Sequence, residues 1–288
     1  MIKKIREAKK RNAFAPTLKA CLSIFRIKTA EGLQYRMAGL AGASTNIFWV
    51  LIEITVYTVF YKYADNKQAG MIAGLSLEQI ISYAWLTQLL FLMQPMNIDA
   101  EILGKITSGD VGIEMCRPID LYFHWFAKTA ATRLTPLFIR GSITLLFGII
   151  IPGSYGLSLP ASFSGFVCAL ASAASAFILC TSYAMLMYGI RINIAWGEGP
   201  TYILMLIGGV LSGGYLPLQL WPRFMQGFLL VQPFAGYMDI PLRFYIGSMA
   251  PEDAIWAIGL QIAWTAVFIA AGKLIMNSRL KHIIVQGG

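Results

Sequence analysis

The chain has 288 residues, 57% of them hydrophobic and 13% charged, with a formal net charge of +9. A soluble domain carries about 25% charged residues. Half that density cannot cover the surface of a water-soluble protein of this size, which excludes a soluble enzyme and a disordered chain and leaves an all-α polytopic membrane protein.

Residues 1–36 carry ten Lys and Arg, and no apolar core follows the basic start, so they do not read as a secretory signal. Phe14, Leu18, Cys21, Leu22 and Phe25 recur at spacings of three and four, while Lys19, Ser23 and Arg26 point elsewhere. That pattern predicts a basic helix lying in the membrane interface. It serves either as a plain juxtamembrane anchor or as a helix packed on a cytoplasmic partner. Lys28 falls near the stripe and Ile27 off it.

Six apolar runs follow, at 38–61, 79–98, 134–151, 162–190, 201–217 and 252–275. Placing the connections alternately on two sides puts 18 of the 23 Lys and Arg with the termini. Lys62, Lys67, Arg223 and Arg243 lie opposite, and Arg140 falls inside the third run. Bases favour the cytoplasmic side of short connections. The distribution therefore predicts a multi-pass protein of the cytoplasmic membrane with both termini inside, anchored to lipid, and the net charge needs no nucleic-acid partner. The chain divides into a basic segment 1–36, a six-span core 37–275 and a tail 276–288 within one transmembrane domain.

The connection 99–133 is long for a simple link. It mixes Asp99, Glu101, Asp110, Glu114 and Asp120 with Lys105, Arg117, Lys128 and Arg133, and Gly104, Gly109, Gly112 and Pro118 punctuate it. Short amphipathic helices would fit, either as a docking surface or as a solvated hairpin. The segment 217–251 differs. Arg223, Asp239 and Arg243 are its only charges, five prolines cut it, and Trp221, Phe224, Phe228, Phe234, Tyr237, Phe244 and Tyr245 fill it. Two short helices, 222–231 and 238–247, re-entering the outer leaflet would account for both features.

Catalytic motifs are missing. Gly104-Lys105 precedes Ile106 and Gly272-Lys273 precedes Leu274, so no phosphate loop is formed. His124 and His282 are the only histidines, there is no HExxH or G-x-S-x-G, and Cys21, Cys116, Cys168 and Cys180 lack metal-ligand spacing. The chain is expected to bind no metal or cofactor and to be no enzyme. Glu53 lies mid-span, where a carboxylate costs about 2.5–3.5 kcal/mol unless it faces protein or water. It reads as a cation contact beside Trp49, or as a hydrogen bond to a neighbouring helix. Trp85 and Gln88 in the second span, with Tyr202 and Met205 in the fifth, suit a cavity for amphiphiles or ordinary packing.

Three stretches carry a resemblance. Ile106-Thr107-Ser108-Gly109-Asp110-Val111 with Met115-Cys116-Arg117-Pro118 is one. Leu211-Ser212-Gly213-Gly214-Tyr215-Leu216-Pro217-Leu218 with Trp221-Pro222 is the second. Gln232-Pro233-Phe234 with Pro241 and Gly247 is the third. In this order, among six spans and an N-terminal interfacial helix, they resemble the permease subunit of ABC-2-type ABC transporters, in the drug and antibiotic exporter branch. The resemblance implies an exporter of amphiphilic small molecules built from two permeases, identical or paralogous, and two ABC ATPase subunits that hold ATP and Mg. It implies coupling to those subunits through Gly109, Asp110, Glu114, Arg117 and Pro118, and an outer gate at Pro217, Trp221, Pro233 and Phe234. Glu53, Trp49, Trp85, Gln88, Tyr202 and Met205 would line the path. A secondary transporter driven by an ion gradient is the alternative. It would usually need coupling carboxylates and often internal repeats, where the sequence offers Glu53 and no repeat.

Overall fold

The computed structural model describes residues 2–63, 71–94, 98–116, 119–193 and 199–280. It is helical apart from a two-strand hairpin, Met71–Ile72 (β1) against Leu75–Ser76 (β2), which the sequence reading did not foresee. A helix over Ile2–Gln34 (α1) precedes Arg36–Tyr63 (α2) and Leu77–Phe91 (α3). Two short helices, Ala100–Ser108 (α4) and Val111–Met115 (α5), occupy the first long connection. Leu121–Pro136 (α6), Ser142–Ile150 (α7), Phe163–Asn193 (α8) and Gly199–Leu211 (α9) follow. Arg223–Val231 (α10) and Asp239–Ile246 (α11) fall on the two short helices expected there, and Ala254–Leu280 (α12) closes the fold.

Among the described residues, four stretches are long and apolar enough to cross a membrane: Met37–Tyr63, Leu121–Ile150, Phe163–Ile192 and Pro251–Ser278. At 1.5 Å per residue each exceeds the roughly 30 Å of hydrocarbon, long enough to span it with some tilt. α3 and α9 fall on the second and fifth expected runs, but they have 15 and 13 residues. They are about 22 and 20 Å long, shorter than the hydrocarbon. Both runs were drawn too far. α3 ends at Phe91 rather than near 98, and α9 at Leu211 rather than 217.

The third run is the larger correction. The helix that holds this run does not begin near 134. α6, a π turn over Leu137–Gly141 and α7 form one continuous helix from Leu121 to Ile150. Proline removes one helical donor and crowds the preceding turn, and the widened turn beyond it absorbs the defect. Residues 121–133 are thus helical, and the connection shrinks to α4, α5 and their turns.

α8 and α12 pack along each other and carry the main core, where Trp125, Tyr183, Tyr188, Tyr237, Met185 and Phe268 meet. α1 lies along α6, α2 packs on α3, the π turn and α7, and α11 packs on α8 and α3. The covered face of α1 includes Cys21, Ile24, Phe25 and Lys28, whereas Leu18 and Leu22 of the expected stripe are exposed. Phe14's side chain lies outside the described part. The face is rotated because Lys28 makes an ion pair with α4, so a base belongs to the packed side.

Where α2 meets the π turn, a Cβ on Gly39 would come within 2.3 Å of Ile139 Cγ2. Ile139 is β-branched and held to few rotamers in a helix, so it cannot yield cheaply. Gly39→Val is expected to destabilise the protein by about 1–3 kcal/mol, the usual cost of overpacking. Gly104→Ala, with open space around it, should leave stability unchanged or slightly raised. Thermal unfolding of the purified variants in detergent checks the contrast, and equal midpoints would contradict the close approach.

Candidate functional site

The end of the bundle that bears α1, α4 and α5 is built on charge. Asp99 caps α4, accepting from the N–H groups of Glu101 (2.9 Å) and Ile102 (3.3 Å), and its own N–H donates to the Tyr188 hydroxyl of α8 at 2.9 Å. Asp120 caps α6 through Tyr122 N–H (3.0 Å) and pairs with Lys273 of α12 at 3.4 Å. The same lysine sits 4.4 Å from the Phe123 ring centre. Both aspartates stand where a helix offers unsatisfied donors and a positive dipole end.

Between these caps runs an ion-pair chain. Lys28 of α1 reaches Glu31 (2.9 Å) and Glu101 (3.2 Å). Glu101 also meets Lys105 (3.0 Å) and Lys128 of α6 (2.6 Å). Lys105 continues to Glu114 of α5, whose other carboxylate oxygen accepts from Trp125 Nε1. Lys128 and Glu114 are buried, while Glu101 is half-exposed. Hydrogen bonding to Lys128, helped by Lys105 and Lys28, holds the Glu101 carboxyl down at about 2. Burial pulls the Glu114 carboxyl upward, but the Lys105 and Trp125 hydrogen bonds outweigh it and leave it below the usual carboxylate value.

This geometry sorts the residues expected to couple the chain to a partner. Glu114 faces inward and fastens α5 to α4 and α6, so it has no free charge to present. Asp110 is exposed, with Ser108 Oγ donating to it at 2.6 Å. Gly109 ends α4 in the left-handed conformation at φ 81°. Arg117 and Pro118 lie outside the described residues. The sequence reading missed the two apolar side chains that α5 does expose, Ile113 (66% exposed) and Met115 (44%).

The opposite end is tied by a different device. Asp239 is fully buried, and its Oδ1 lies 3.1 Å from the Tyr83 hydroxyl and accepts from Leu218 N–H at 3.2 Å. Arg243 stands 3.6 Å from its other oxygen. The Tyr83 hydroxyl also lies 3.0 Å from Gly213 O, and Asp239 N–H donates to Ser212 O at 3.1 Å. Gly213 has φ 84°, and a Cβ there would meet the Tyr83 hydroxyl at 2.6 Å. Only glycine satisfies both demands. Of the expected gate residues, Pro217 is buried and Trp221 half-buried beside this knot, and Pro233 opens a short 3-10 turn. Phe234 stacks edge-on against Tyr183 at 5.3 Å.

The expected path residues lie on α2, α3 and α9. Gln88 donates to Glu53 at 3.1 Å, joining α2 to α3. Trp49 faces outward. Trp85 is fully buried, its indole N–H donating to Tyr155 O at 2.9 Å. Tyr202 is exposed and Met205 packs on the core, both on α9, which contacts α8 and the Pro233–Tyr237 turn. The four cysteines are free thiols, and among the described residues no group of His, Cys, Asp and Glu could hold a metal.

A family model described as ABC-2 family transporter protein matches residues 47–287. No curated protein and no solved structure matches the chain.

The depressed carboxylates carry a pH dependence. Glu101 and Glu114 titrate lower in the folded chain than when unfolded, so the stability they confer is complete above about pH 4.5 and is lost as pH falls toward 2. Thermal midpoints in detergent between about pH 5 and 3 should fall less steeply in Glu101→Gln than in the parent. Identical slopes would show that the network does not act.

Proposed function

The chain belongs to the ABC-2 transporter family, and from that premise we propose that it is the permease of an ATP-driven exporter. As an ABC-2 family member it is a membrane transport component whose ATP hydrolysis lies in separate subunits. The finer reading is ours. Two ATPase subunits dock on two such permeases, identical or paralogous, and alternating access moves an amphiphilic small molecule, a drug or antibiotic, out through the cytoplasmic membrane. Both termini lie inside, with six crossings, α3 and α9 among them. The basic bias of the connections supports that orientation, since bases favour the cytoplasmic side.

The observation that carries the reading is the exposed edge of α5. Ile113 and Met115 stand out from a five-residue helix that is not free to move on its own. Glu114 between them is locked to Lys105 and Trp125. A rigid apolar knob flanked by Asp110 suits a groove on a partner, and a push on it passes directly to α4 and α6. α6 continues through the π turn into α7, which packs on α2 and α3. Motion at α5 thereby reaches the helices that hold Glu53 and Gln88, the pair we assign to the inner wall of the path. Trp49, Trp85, Tyr202 and Met205 complete our assignment, and Pro217, Trp221, Pro233 and Phe234 form the outer gate.

Two outcomes test this. Ile113→Asp should abolish co-purification of the ATPase subunit while leaving the thermal midpoint of the permease alone, because the side chain is solvent-facing. Glu114→Ala should instead destabilise the permease by about 1–3 kcal/mol through the stranded Trp125 N–H, and so lower its thermal midpoint. Full assembly in Ile113→Asp would remove α5 as the dock. Transport in vesicles should require ATP and survive ionophores. Loss on collapsing the ion gradients, with ATP present, would favour a secondary transporter.

A further inference from the structure

A cavity of about 830 Å³ opens at the end of the bundle opposite α1, between the β1–β2 hairpin and the segment that carries α10 and α11. Arg223 and Arg243 both line it. In a chain that keeps most of its bases at the other end, the two arginines of this segment converge on one space. Among the described lining residues there is no carboxylate. The nearby acid, Asp239, is fully buried and bonded to Tyr83 and to Leu218 N–H. It stands 3.6 Å from one Arg243 nitrogen, and Arg243 Nε has no hydrogen-bond partner. One buried negative charge against two guanidinium groups leaves the cavity electropositive.

The remaining wall is sorted by chemistry. Gln226 Nε2 donates to the carbonyls of Gln219 and Trp221 (both 3.2 Å), which fixes the rim. Gln219 Nε2 donates to Ser248 Oγ at 2.6 Å, so the Ser248 hydroxyl keeps its own proton to give. Leu220, Trp221, Ile72 and Met71 supply apolar surface. The volume lies in the range of small-molecule sites, about 300–1,000 Å³, and far exceeds a bare inorganic anion.

We propose that this cavity binds an amphiphile with an anionic head, a phosphate or carboxylate held by Arg223 and Arg243 with its apolar part against Trp221 and Leu220. Guanidinium forks match the paired oxygens of such heads. A soluble amphiphile and the headgroup of an anionic lipid share this chemistry. The site goes beyond the export reading, and its test needs neither ATP nor a partner subunit, so either can fail alone.

The test is equilibrium binding of labelled dodecyl phosphate to the full chain in phosphatidylcholine nanodiscs. Saturable binding is expected, weakened about tenfold in Arg223→Gln, only partly restored in Arg223→Lys, which keeps the charge but not the fork, and reduced by salt. Arg223 is exposed, so this variant should fold, and an unchanged thermal midpoint checks that it does. Dodecyltrimethylammonium should not compete. Competition by phosphatidylglycerol in the nanodisc would assign the site to lipid headgroups, and its absence to a soluble anionic amphiphile. Equal affinity of Arg223→Gln and the parent, or equal competition by the cationic detergent, would overturn the proposal.

Discussion

Hydrocarbon offers no hydrogen bonds, so every break in a membrane helix leaves backbone groups that protein must satisfy, at several kcal/mol each otherwise. This chain breaks its helices often, and long polar side chains from neighbouring helices close the gaps. Arg133 donates to Met93 O (2.8 Å) just past the end of α3, and Gln232 donates to Leu211 O (2.9 Å) at the end of α9. Gln261 of α12 donates to Gly236 O (2.8 Å), and Trp264 donates to Val231 O (2.9 Å). Gln79 serves Ile246 O (2.8 Å), and Tyr245 serves Ser158 O (2.9 Å). The broken segment between α9 and α12 is therefore stitched to α3, to α12 and to the turn before α8 by neutral donors, with Asp239 as its charged centre.

The two ends of the molecule consequently differ in kind. Buried amide, indole and phenol groups hold one end. Ion pairs among lysines and glutamates hold the other, several of them partly exposed. Each exposed pair is worth about 0–1 kcal/mol and weakens with salt, whereas stranding buried Lys128 or Glu114 costs more. α1 is joined to α4 through Lys28 and Glu101, but it also lies along α6, so the partly exposed pairs add to an apolar contact rather than replace it.

Much of the architecture was legible because it depends on apolar run length and proline. The two short helices near 222–231 and 238–247 were readable from their prolines and aromatics, and α8 and α12 from continuous hydrophobicity. The third helix was misread because strong hydrophobicity begins only near 134, while its N-terminal half over 121–133 is mixed in character and the π turn after Pro136 depends on tertiary packing. The ends of α3 and α9 were missed for a related reason. Hydrophobicity continues past them, and Gly213 and Gln232 terminate α9 through contacts with distant residues. At the site, Asp110 was singled out from the mixed-charge turn, and it is exposed. Glu114 was seen only as a charge, and its burial follows from Trp125 eleven residues on. Ile113 and Met115 carried a signal that was overlooked, two apolar residues flanking an acid in a segment otherwise read as polar. Tyr83 and Asp239 were also within reach, since a single acid in the aromatic segment 217–251 must find partners.

The most direct measurement places a photo-crosslinking amino acid at position 113 and another at position 71 in membranes of cells that make the whole transporter. If α5 is the element through which an ATPase drives this chain, position 113 yields an adduct with a subunit that carries a phosphate-binding loop, and position 71 does not. An adduct from position 71, or none from position 113 in transport-competent membranes, would contradict it.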